Sequence, residues 1–231
     1  MKPADEIRAA RDRAQADLDE AHDYYYDTTT AWGIVQVAVA SGLVAETANV
    51  LTGTTTTDAQ LVLKAQKYVD VHILESTFQQ FLSIFEEFLF ELIRVWLTAY
   101  PRNLAGKKLD FKAVLELEDR DAIIQSVIRR ELNELAYERP AAWFAYLEER
   151  TRLGVPTPDQ IARIAEAKAA RDVLVHGRGI VTATYVSKSG ALARYAAGER
   201  IDITGPYHRR TWELLGEVVG AVGDAAVGKL D

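Results

Sequence analysis

The sequence has no cysteine among its 231 residues. Without cysteine the chain can form no disulfide, no thiolate metal site and no cysteine nucleophile, and this composition is compatible with a reducing cytoplasm. Its 48% hydrophobic and 26% charged residues are ordinary for a globular protein, and the length is enough for one large domain or two small ones. We therefore expect a cytoplasmic protein that folds alone or as a simple oligomer.

Histidine is scarce as well, and its four copies are scattered at His22, His72, His176 and His208. The sequence contains no His-Glu-x-x-His pattern, no glycine-rich phosphate loop between a strand and a helix, and no Gly-x-Ser-x-Gly elbow. These absences argue against zinc hydrolases, P-loop proteins and α/β-hydrolases. We expect neither a metal nor another cofactor.

We also expect neither a signal peptide nor a membrane span. The N-terminal residues are charged where a signal peptide needs an apolar core. The most apolar stretch, residues 31–51, is interrupted by Gln36, Gly42, Glu46 and Asn49, whereas a spanning helix needs about 20 nearly uninterrupted apolar residues. We predict that this stretch is a buried helix, broken near Ser41-Gly42, and that the protein has no membrane partner.

The net charge of −7 argues at first against a nucleic-acid partner. Residues 161–215 differ from this average, because they contain nine Lys and Arg against five Asp and Glu, a net charge of +4. A local basic zone can attract phosphate even on an acidic protein. Charge alone leaves open whether this zone is a binding surface or a chance fluctuation.

Hydrophobic periodicity predicts an all-α fold. Residues 4–28 form a charged amphipathic helix, and residues 52–60 form a polar loop that ends in an N-cap at Thr57 or Asp58. The strongest pattern is an apolar stripe that predicts a core helix ended by Pro101. The members of this stripe step by three and four: Leu74, Phe78, Phe81, Phe85, Phe88, Leu92 and Val95, widened by Leu82, Leu89, Ile93 and Trp96.

The second half of the chain is also predicted to be mostly helical. Residues 109–136 form a helix or a helix pair that breaks at 119–121, and residues 140–154 form a short helix. The sequence Thr157-Pro158-Asp159-Gln160 is a capping box that starts a helix running to His176, where Gly177 and Gly179 can end it.

The end of the chain carries the only ambiguous pattern. Residues 179–186 suit a strand or a helix, residues 199–204 suit a short strand, and Thr204 with Pro206 opens a last helix to about Val227. We predict one helical domain over 1–231, with a small β or irregular insert after the helix that ends at His176.

That helix ends in "AARDVLVHGRGIV", residues 169–181, where Arg171, Asp172 and His176 occur together. At about 100° per residue, Asp172 and His176 share a face, but Arg171 and His176 lie roughly 140° apart. One helix therefore does not aim Arg171 and His176 at one point. A second copy packed antiparallel across a two-fold axis would bring both into one cleft, with close approach allowed by Ala165, Ala167, Ala169 and Ala170.

A purely structural interpretation stands beside this one. A histidine in the last helical turn is favoured by the helix dipole. Asp172, four residues earlier, would then form an ordinary hydrogen bond to it, and Arg171 would pair with a carboxylate elsewhere. The spacing alone leaves both interpretations open.

The wider context resembles the HEPN superfamily (higher eukaryotes and prokaryotes nucleotide-binding). The family motif is an arginine, then a polar residue, and a histidine four to six residues after the arginine; Arg171, Asp172 and His176 match these positions. The flanking "GRGIV", "TYV" and "GERIDIT" also resemble larger bacterial members. The likeness covers roughly residues 60–225, so we assign 56–231 to the HEPN-like core and 1–55 to an added N-terminal helical region.

The resemblance implies a helical bundle that forms a homodimer through the motif helix and cleaves RNA without a metal. Such endoribonucleases serve as toxins or in phage defence, which implies an antitoxin or defence-system partner. His176 would be the general base or acid, Arg171 the cation that stabilises the phosphorane, and Asp172 the residue that orients the imidazole. Lys168 and Arg178 would bind the RNA substrate.

One position departs from the family pattern and argues against membership in one subgroup. Small HEPN toxins that pair with a nucleotidyltransferase often carry a tyrosine two residues after the histidine, where this chain has Arg178, although Tyr185 is nearby. A nucleotidyltransferase partner is therefore disfavoured. Two other hypotheses stay open, namely a catalytically silent module that binds a nucleotide or a protein, and a purely structural helical dimer.

Overall fold

A computed structural model of the protein describes residues 2–49, 51–106 and 119–230, and 78% of them are helical. This confirms the predicted all-α class. The α-helices are α1 (Pro3–Ala40), α2 (Asp58–Lys67), α3 (Leu74–Ala99), α4 (Arg120–Ala136), α5 (Pro140–Thr151), α6 (Pro158–Gly177), α7 (Ala183–Ser189) and α8 (Gly205–Leu230). A π-helical segment (Tyr68–Ile73) joins α2 to α3, and short 3-10 turns lie at Pro101–Leu104 and Gly190–Leu192.

Local capping chemistry explains where several helices begin. Thr157 accepts a hydrogen bond from the Gln160 N–H at 3.3 Å, and the Gln160 side chain accepts one from the Thr157 N–H at 2.9 Å. Thr57 and Gln60 form the same reciprocal pair at the start of α2. These bonds satisfy N–H groups that a helix leaves without a partner in its first turn. Both predicted caps are therefore confirmed.

A third cap confirms that a helix begins at the predicted break, 119–121. The Asp119 carboxylate accepts a hydrogen bond from the Ala122 N–H at 2.7 Å, and α4 begins at Arg120. The part of that prediction that falls on 109–118 lies outside the described residues.

Helix α3 lies at the centre of the bundle and packs against α1, α4, α6 and α8. Its apolar stripe is buried as predicted, with Phe81 fully buried and Phe88 3% exposed. Burial of each such side chain stabilises the fold by about 2 kcal/mol. This helix is therefore the core element against which the other helices are placed.

The stretch predicted as a buried helix at 31–51 is different in the structure. Helix α1 continues to Ala40, but Ile34 and Val37 are 65% and 67% exposed. At 38 residues α1 is roughly 57 Å long, while its neighbour α8 has 26 residues and is roughly 39 Å long. The last turns of α1 extend past α8, and this difference in length explains their exposure.

A short hairpin follows α1, where the sequence predicted the rest of a helix and then a polar loop. Strands β1 (Glu46–Ala48) and β2 (Thr55–Thr57) pair antiparallel, with Glu46 opposite Thr57. The predicted break near Ser41-Gly42 is confirmed, because α1 ends at Ala40 and Gly42 has a φ of 70°. In the described ranges every helix falls short of the apolar length needed to cross a membrane.

The strand predicted at 199–204 is wrong, because the pairing there is limited to an isolated bridge between Arg200 and Ile180. In this bridge the Glu199 carbonyl accepts from the Val181 N–H, and the Ile201 N–H donates to the Gly179 carbonyl. The Tyr195 hydroxyl donates to the Asp202 carbonyl at 3.0 Å and accepts from the Asp202 N–H at 3.2 Å. A side chain thus satisfies backbone groups that a neighbouring strand would otherwise bind. The ambiguous stretch 179–186 contains the bridge at Ile180 and the first four residues of α7.

Helices α1 and α8 approach each other closely at glycine. A Cβ built on Gly223 would lie 2.8 Å from the Cγ and Cδ atoms of Arg11, and one built on Gly220 would lie 3.1 Å from the Gln15 side-chain nitrogen. The Arg11 guanidinium continues past Gly223 to an ion pair with Asp224. The missing side chain at Gly223 is therefore what lets the Arg11 stem lie against α8.

We expect Gly223→Ala to destabilise the protein by about 1 kcal/mol or more, because the new methyl group overpacks this contact. Gly216→Ala is the matched control in the same helix, since nothing lies within 4 Å of its added Cβ. That change should stabilise the protein by about 0.5–1 kcal/mol through helix propensity. Urea denaturation of both variants tests the pair; equal effects would contradict the close packing.

His208 is a fully buried histidine between α8 and α3. Its Nε2 lies 2.7 Å from the Thr77 hydroxyl, which itself donates to the Ile73 carbonyl, so Nε2 carries the proton and donates to Thr77. In the described chain Nδ1 is buried without a hydrogen-bond partner. Burial, with a smaller contribution from the nearby His22, lowers the pKa of His208 to about 4. The fold therefore requires the neutral imidazole.

The lowered pKa predicts a loss of stability in acid. Between about pH 6.5 and pH 4 the unfolded chain binds a proton at His208 that the folded chain does not, so the free energy of unfolding falls as the pH falls through this window, by up to about 3 kcal/mol. Thermal denaturation between pH 7 and pH 4 measures the effect. The His208→Phe variant should lose this component, whereas His72→Phe, at an exposed histidine, should keep it. Parallel pH curves for wild type and His208→Phe would refute this assignment.

Candidate active site

The predicted motif lies at the C-terminal end of α6. The helix ends because Arg178 and Gly179 adopt the left-handed conformation, with φ of 51° and 79°, and the Gly179 N–H donates to the Val173 carbonyl at 3.1 Å. The chain then turns away from the helix axis. His176 is thereby placed in the last helical turn, next to a change in chain direction.

His176 is exposed and lines a cavity of about 280 Å³ between α6 and α7. The polar groups of the wall come from Asp172, Thr182, Thr184 and Lys188, and the floor includes buried Tyr185. A lysine and two hydroxyl groups beside an imidazole can bind an anionic group and exchange a proton with it.

Arg171 points away from this cavity. Its guanidinium lies 2.6 Å from the Glu86 carboxylate on α3 and is only 17% exposed. Lys168 reaches the same Glu86 oxygen at 3.1 Å. One chain therefore does not bring Arg171 and His176 together, as expected from their separation around the helix.

Asp172 contacts cations and makes no hydrogen bond to His176 in the described part of the chain. Its carboxylate lies 3.2 Å from Lys188, 3.5 Å from the Arg171 Nε and 3.8 Å from Lys168. Three positive groups compete for this carboxylate, whereas an exposed imidazole has water as an alternative partner. In this structure Asp172 holds Lys188 at the cavity wall.

The two residues expected to bind substrate have different surroundings. Lys168 is 14% exposed, paired with Glu86 and placed over the Trp143 ring at 5.2 Å. Arg178 is exposed, and across the described ranges it makes no ion pair. Arg178 is thus the more accessible of the two cations.

Internal ion pairs use much of the positive charge of the basic zone. Lys168 and Arg171 pair with Glu86, Arg194 pairs with Glu166, and Arg209 pairs with Glu213. The net charge of +4 already counts Glu166 and Glu213, so of these partners only Glu86, which lies outside residues 161–215, lowers it further, to +3.

Three of the four alanines predicted to face a second copy pack inside their own chain instead, and the fourth, Ala165, is half-buried. Ala167, Ala169 and Ala170 are at most 2% exposed. Their small size lets α6 lie close to its own neighbours, so they cannot form a partner surface. The apolar groups that are free near the motif are Val175, Ile180 and Val186, which are 47%, 43% and 37% exposed.

Sequence reasoning missed two carboxylates that support the motif helix. Glu86 lies 85 residues before Arg171, among the core positions of α3. Glu166 lies on the buried face of α6 and is 4% exposed. A glutamate on an apolar face is the one sequence signal for such a role, but spacing cannot identify partners that are distant in sequence.

Glu166 joins three elements in one buried cluster. It accepts hydrogen bonds from Tyr185 at 2.8 Å, Tyr207 at 2.6 Å and the Arg194 Nε at 3.0 Å. Burial raises the pKa of Tyr185 to about 12 and that of Tyr207 well above its usual value, and the negative Glu166 adds to both shifts. Tyr185 is only 2% exposed, so its hydroxyl serves this cluster and does not face the solvent.

Comparisons with protein-family models, curated proteins and solved structures find no match for the chain. Over residues 2–49, 51–106 and 119–230, no group of three or more His, Asp or Glu side chains is arranged to hold a metal ion. A function for this site must therefore be argued from the groups around His176 and Arg171.

We expect Glu166→Gln to destabilise the protein by about 2–4 kcal/mol. The amide nitrogen cannot accept the hydrogen bonds that the tyrosines donate, and the Arg194 charge is left buried without its partner. Thermal denaturation and limited proteolysis of residues 183–204 measure the loss. Glu213→Gln, which affects an exposed ion pair with Arg209, is the control and should change stability by less than about 1 kcal/mol. Equal stability of the two variants would mean that the cluster does not hold the insert.

Proposed function

We propose that this protein is a HEPN-type endoribonuclease that cleaves single-stranded RNA at a site completed by a second copy of α6. The observation that carries the proposal is the placement of the motif residues. An exposed His176 lines a cavity next to Lys188, while Arg171 is held on a different side of the same helix. Each chain thus holds His176 and Arg171 at two different places on α6. In this proposal a second chain is needed to bring the two kinds of catalytic group together.

The reaction uses the substrate's own nucleophile. One His176 takes the proton from a ribose 2′-hydroxyl, and the 2′-oxygen attacks the adjacent phosphorus. The bond from phosphorus to the 5′-oxygen breaks, and the second His176 donates its proton to that oxygen. The products are a 2′,3′-cyclic phosphate and a 5′-hydroxyl. DNA lacks the 2′-hydroxyl and is not cleaved.

The cations of the site stabilise charge on the phosphorane. Arg171 is the main cation in this proposal, and its ion pair with Glu86 fixes the guanidinium in one orientation. Lys188, held by Asp172 at 3.2 Å, and the exposed Arg178 contact neighbouring phosphates. Lys168 contributes through Glu86, whose charge it helps to balance.

The apolar groups beside the motif support a two-fold dimer. Val175, Ile180 and Val186 are each more than one third exposed and lie around the end of α6. Burying these side chains between two copies would be favourable, and it would place both copies of His176 near one cleft. The resemblance to the HEPN superfamily extends the proposal to a biological role. We propose that the protein acts as a toxin or in phage defence, with an antitoxin or defence-system partner.

One observation favours a second function. The Arg171 charge is already paired with Glu86 at 2.6 Å, and a paired arginine stabilises a new negative charge less well. The alternative is therefore a catalytically silent module of the same fold that binds a nucleotide or a protein partner.

The activity itself is the fourth prediction. We expect cleavage of labelled single-stranded RNA in the presence of EDTA, with a 2′,3′-cyclic phosphate at the new end and no cleavage of DNA. His176→Ala and Arg171→Ala should each reduce the rate by ~10²-fold or more. The first variant removes the proton-transfer group, and the second removes the cation that stabilises the phosphorane. Mixing the two variants should not restore the wild-type rate, since a mixed dimer keeps one His176 and one Arg171, whereas the reaction uses both copies of His176.

His72→Ala and Arg210→Ala are matched controls at exposed positions outside the motif and should leave the rate unchanged. Light scattering should show a dimer for wild type and both motif variants. Equal cleavage by wild type and His176→Ala would mean that the activity belongs to another site or to a contaminant. Absence of cleavage of any RNA by a folded dimer would favour the silent module.

A further inference from the structure

A second concave surface lies far from the motif in sequence, between the 3-10 turn after α3 and the start of α4. Two adjoining cavities of about 570 and 400 Å³ share Pro101, Arg102 and Arg120 in their walls. Together they form one groove, which we call the arginine groove. Its size is in the range of sites that hold small molecules.

One end of the groove is cationic. Arg102, Arg120 and Arg150 line it together with the amide side chain of Asn103, and the lining residues in the described ranges include no Asp or Glu. Arg102 and Arg120 are exposed and make no ion pair within those ranges. Two unpaired guanidinium groups on a chain of net charge −7 create a local positive potential that favours an anion.

The third arginine is held in place by its neighbours. Arg150 donates to the Tyr146 carbonyl at 3.1 Å and to Glu149 at 2.8 Å, and its guanidinium lies 3.5 Å from the centre of the Tyr146 ring. Glu149 is 75% exposed, so solvent weakens its effect on the groove. The structure thus fixes one guanidinium and leaves two free to close on a ligand.

Two buried N–H groups of the same wall have no acceptor. Trp96 is 6% exposed, and neither its Nε1 nor the Nε of Arg150 has a hydrogen-bond partner in the described chain. Buried donors are rarely left unpaired, because such a group loses its hydrogen bonds to water without compensation. Both residues line the cationic end of the groove, so unpaired donors and unpaired cations occur in one wall.

The other end of the groove is apolar. It is lined by Leu104, Ala105, Ile123, Ile124 and Val127, and Ile123 and Ile124 are only half-buried. An inorganic anion would leave this wall exposed to water. A ligand with an apolar body would cover it.

From these two ends we infer that the arginine groove binds a small organic phosphate, with the phosphate on Arg102, Arg120 and Arg150 and the apolar body along Ile123 and Ile124. Guanidinium groups match phosphate oxygens in a bidentate geometry. The apolar body is a nucleobase or an alkyl chain, and both sources share this chemistry.

This inference does not depend on the proposed ribonuclease activity, because the groove shares no residue with the cavity around His176. Loss of phosphate binding would leave the cleavage assay unaffected. Absence of RNA cleavage would likewise not contradict phosphate binding in the groove.

Isothermal titration calorimetry of the full chain tests the inference, with adenosine monophosphate, n-octyl phosphate and inorganic phosphate as probes at equal ionic strength. We expect at least one organic phosphate to bind about tenfold or more tightly than inorganic phosphate. Arg102→Gln should weaken that binding by about tenfold, the size expected for a charge-assisted hydrogen bond. Arg210→Gln, an equal charge change on α8, should leave it unchanged.

The relative affinity of the two organic probes decides whether the body is a nucleobase or an alkyl chain, and either result supports the groove. Circular dichroism should show that Arg102→Gln keeps its fold. Saturable binding of neither organic phosphate would overturn the inference. Equal binding by wild type and Arg102→Gln, or equal affinity for organic and inorganic phosphate, would overturn it as well.

Discussion

The buried carboxylate of Glu166 is the interaction on which the second half of the structure depends. It receives hydrogen bonds from Tyr185 on α7, Tyr207 on α8 and Arg194 in the connection between them. An ionised carboxylate in an apolar interior is stable only when it is fully paired. The cluster therefore requires the insert to fold back onto α6 in one arrangement, and that arrangement forms the wall of the cavity beside His176.

A second carboxylate connects the motif to the core. Glu86 lies on α3 between buried positions of the apolar stripe and binds Arg171 and Lys168 together. The orientation of the Arg171 guanidinium is thus determined by the best-packed helix of the protein. This rigidity suits a cation that must be preorganised for a developing charge, and it equally suits a purely structural ion pair. The same contact therefore supports the proposed enzyme and its silent alternative.

Predictions from the sequence succeeded where local chemistry decides the result. Thr157 with Gln160 marked the start of α6, and the stripe through Phe81 marked the core helix, because capping and amphipathic periodicity act over a few residues. The prediction for 31–51 failed because apolar composition does not say whether a neighbouring helix is long enough to cover it. The strand expected at 199–204 failed because the Tyr195 hydroxyl binds the Asp202 backbone, a contact that propensity cannot indicate.

The sequence by itself determined the helical class, most helix ends, and the angular separation of Arg171 and His176, since these follow from backbone geometry and short spacings. Only the tertiary structure decided that Glu86 binds Arg171, that Asp172 binds Lys188, and that three alanines of α6 (Ala167, Ala169 and Ala170) are buried. Such pairings depend on which helices become neighbours and on how closely they approach. That is a property of the packed core as a whole, and residues 85 positions apart carry no local signal of it.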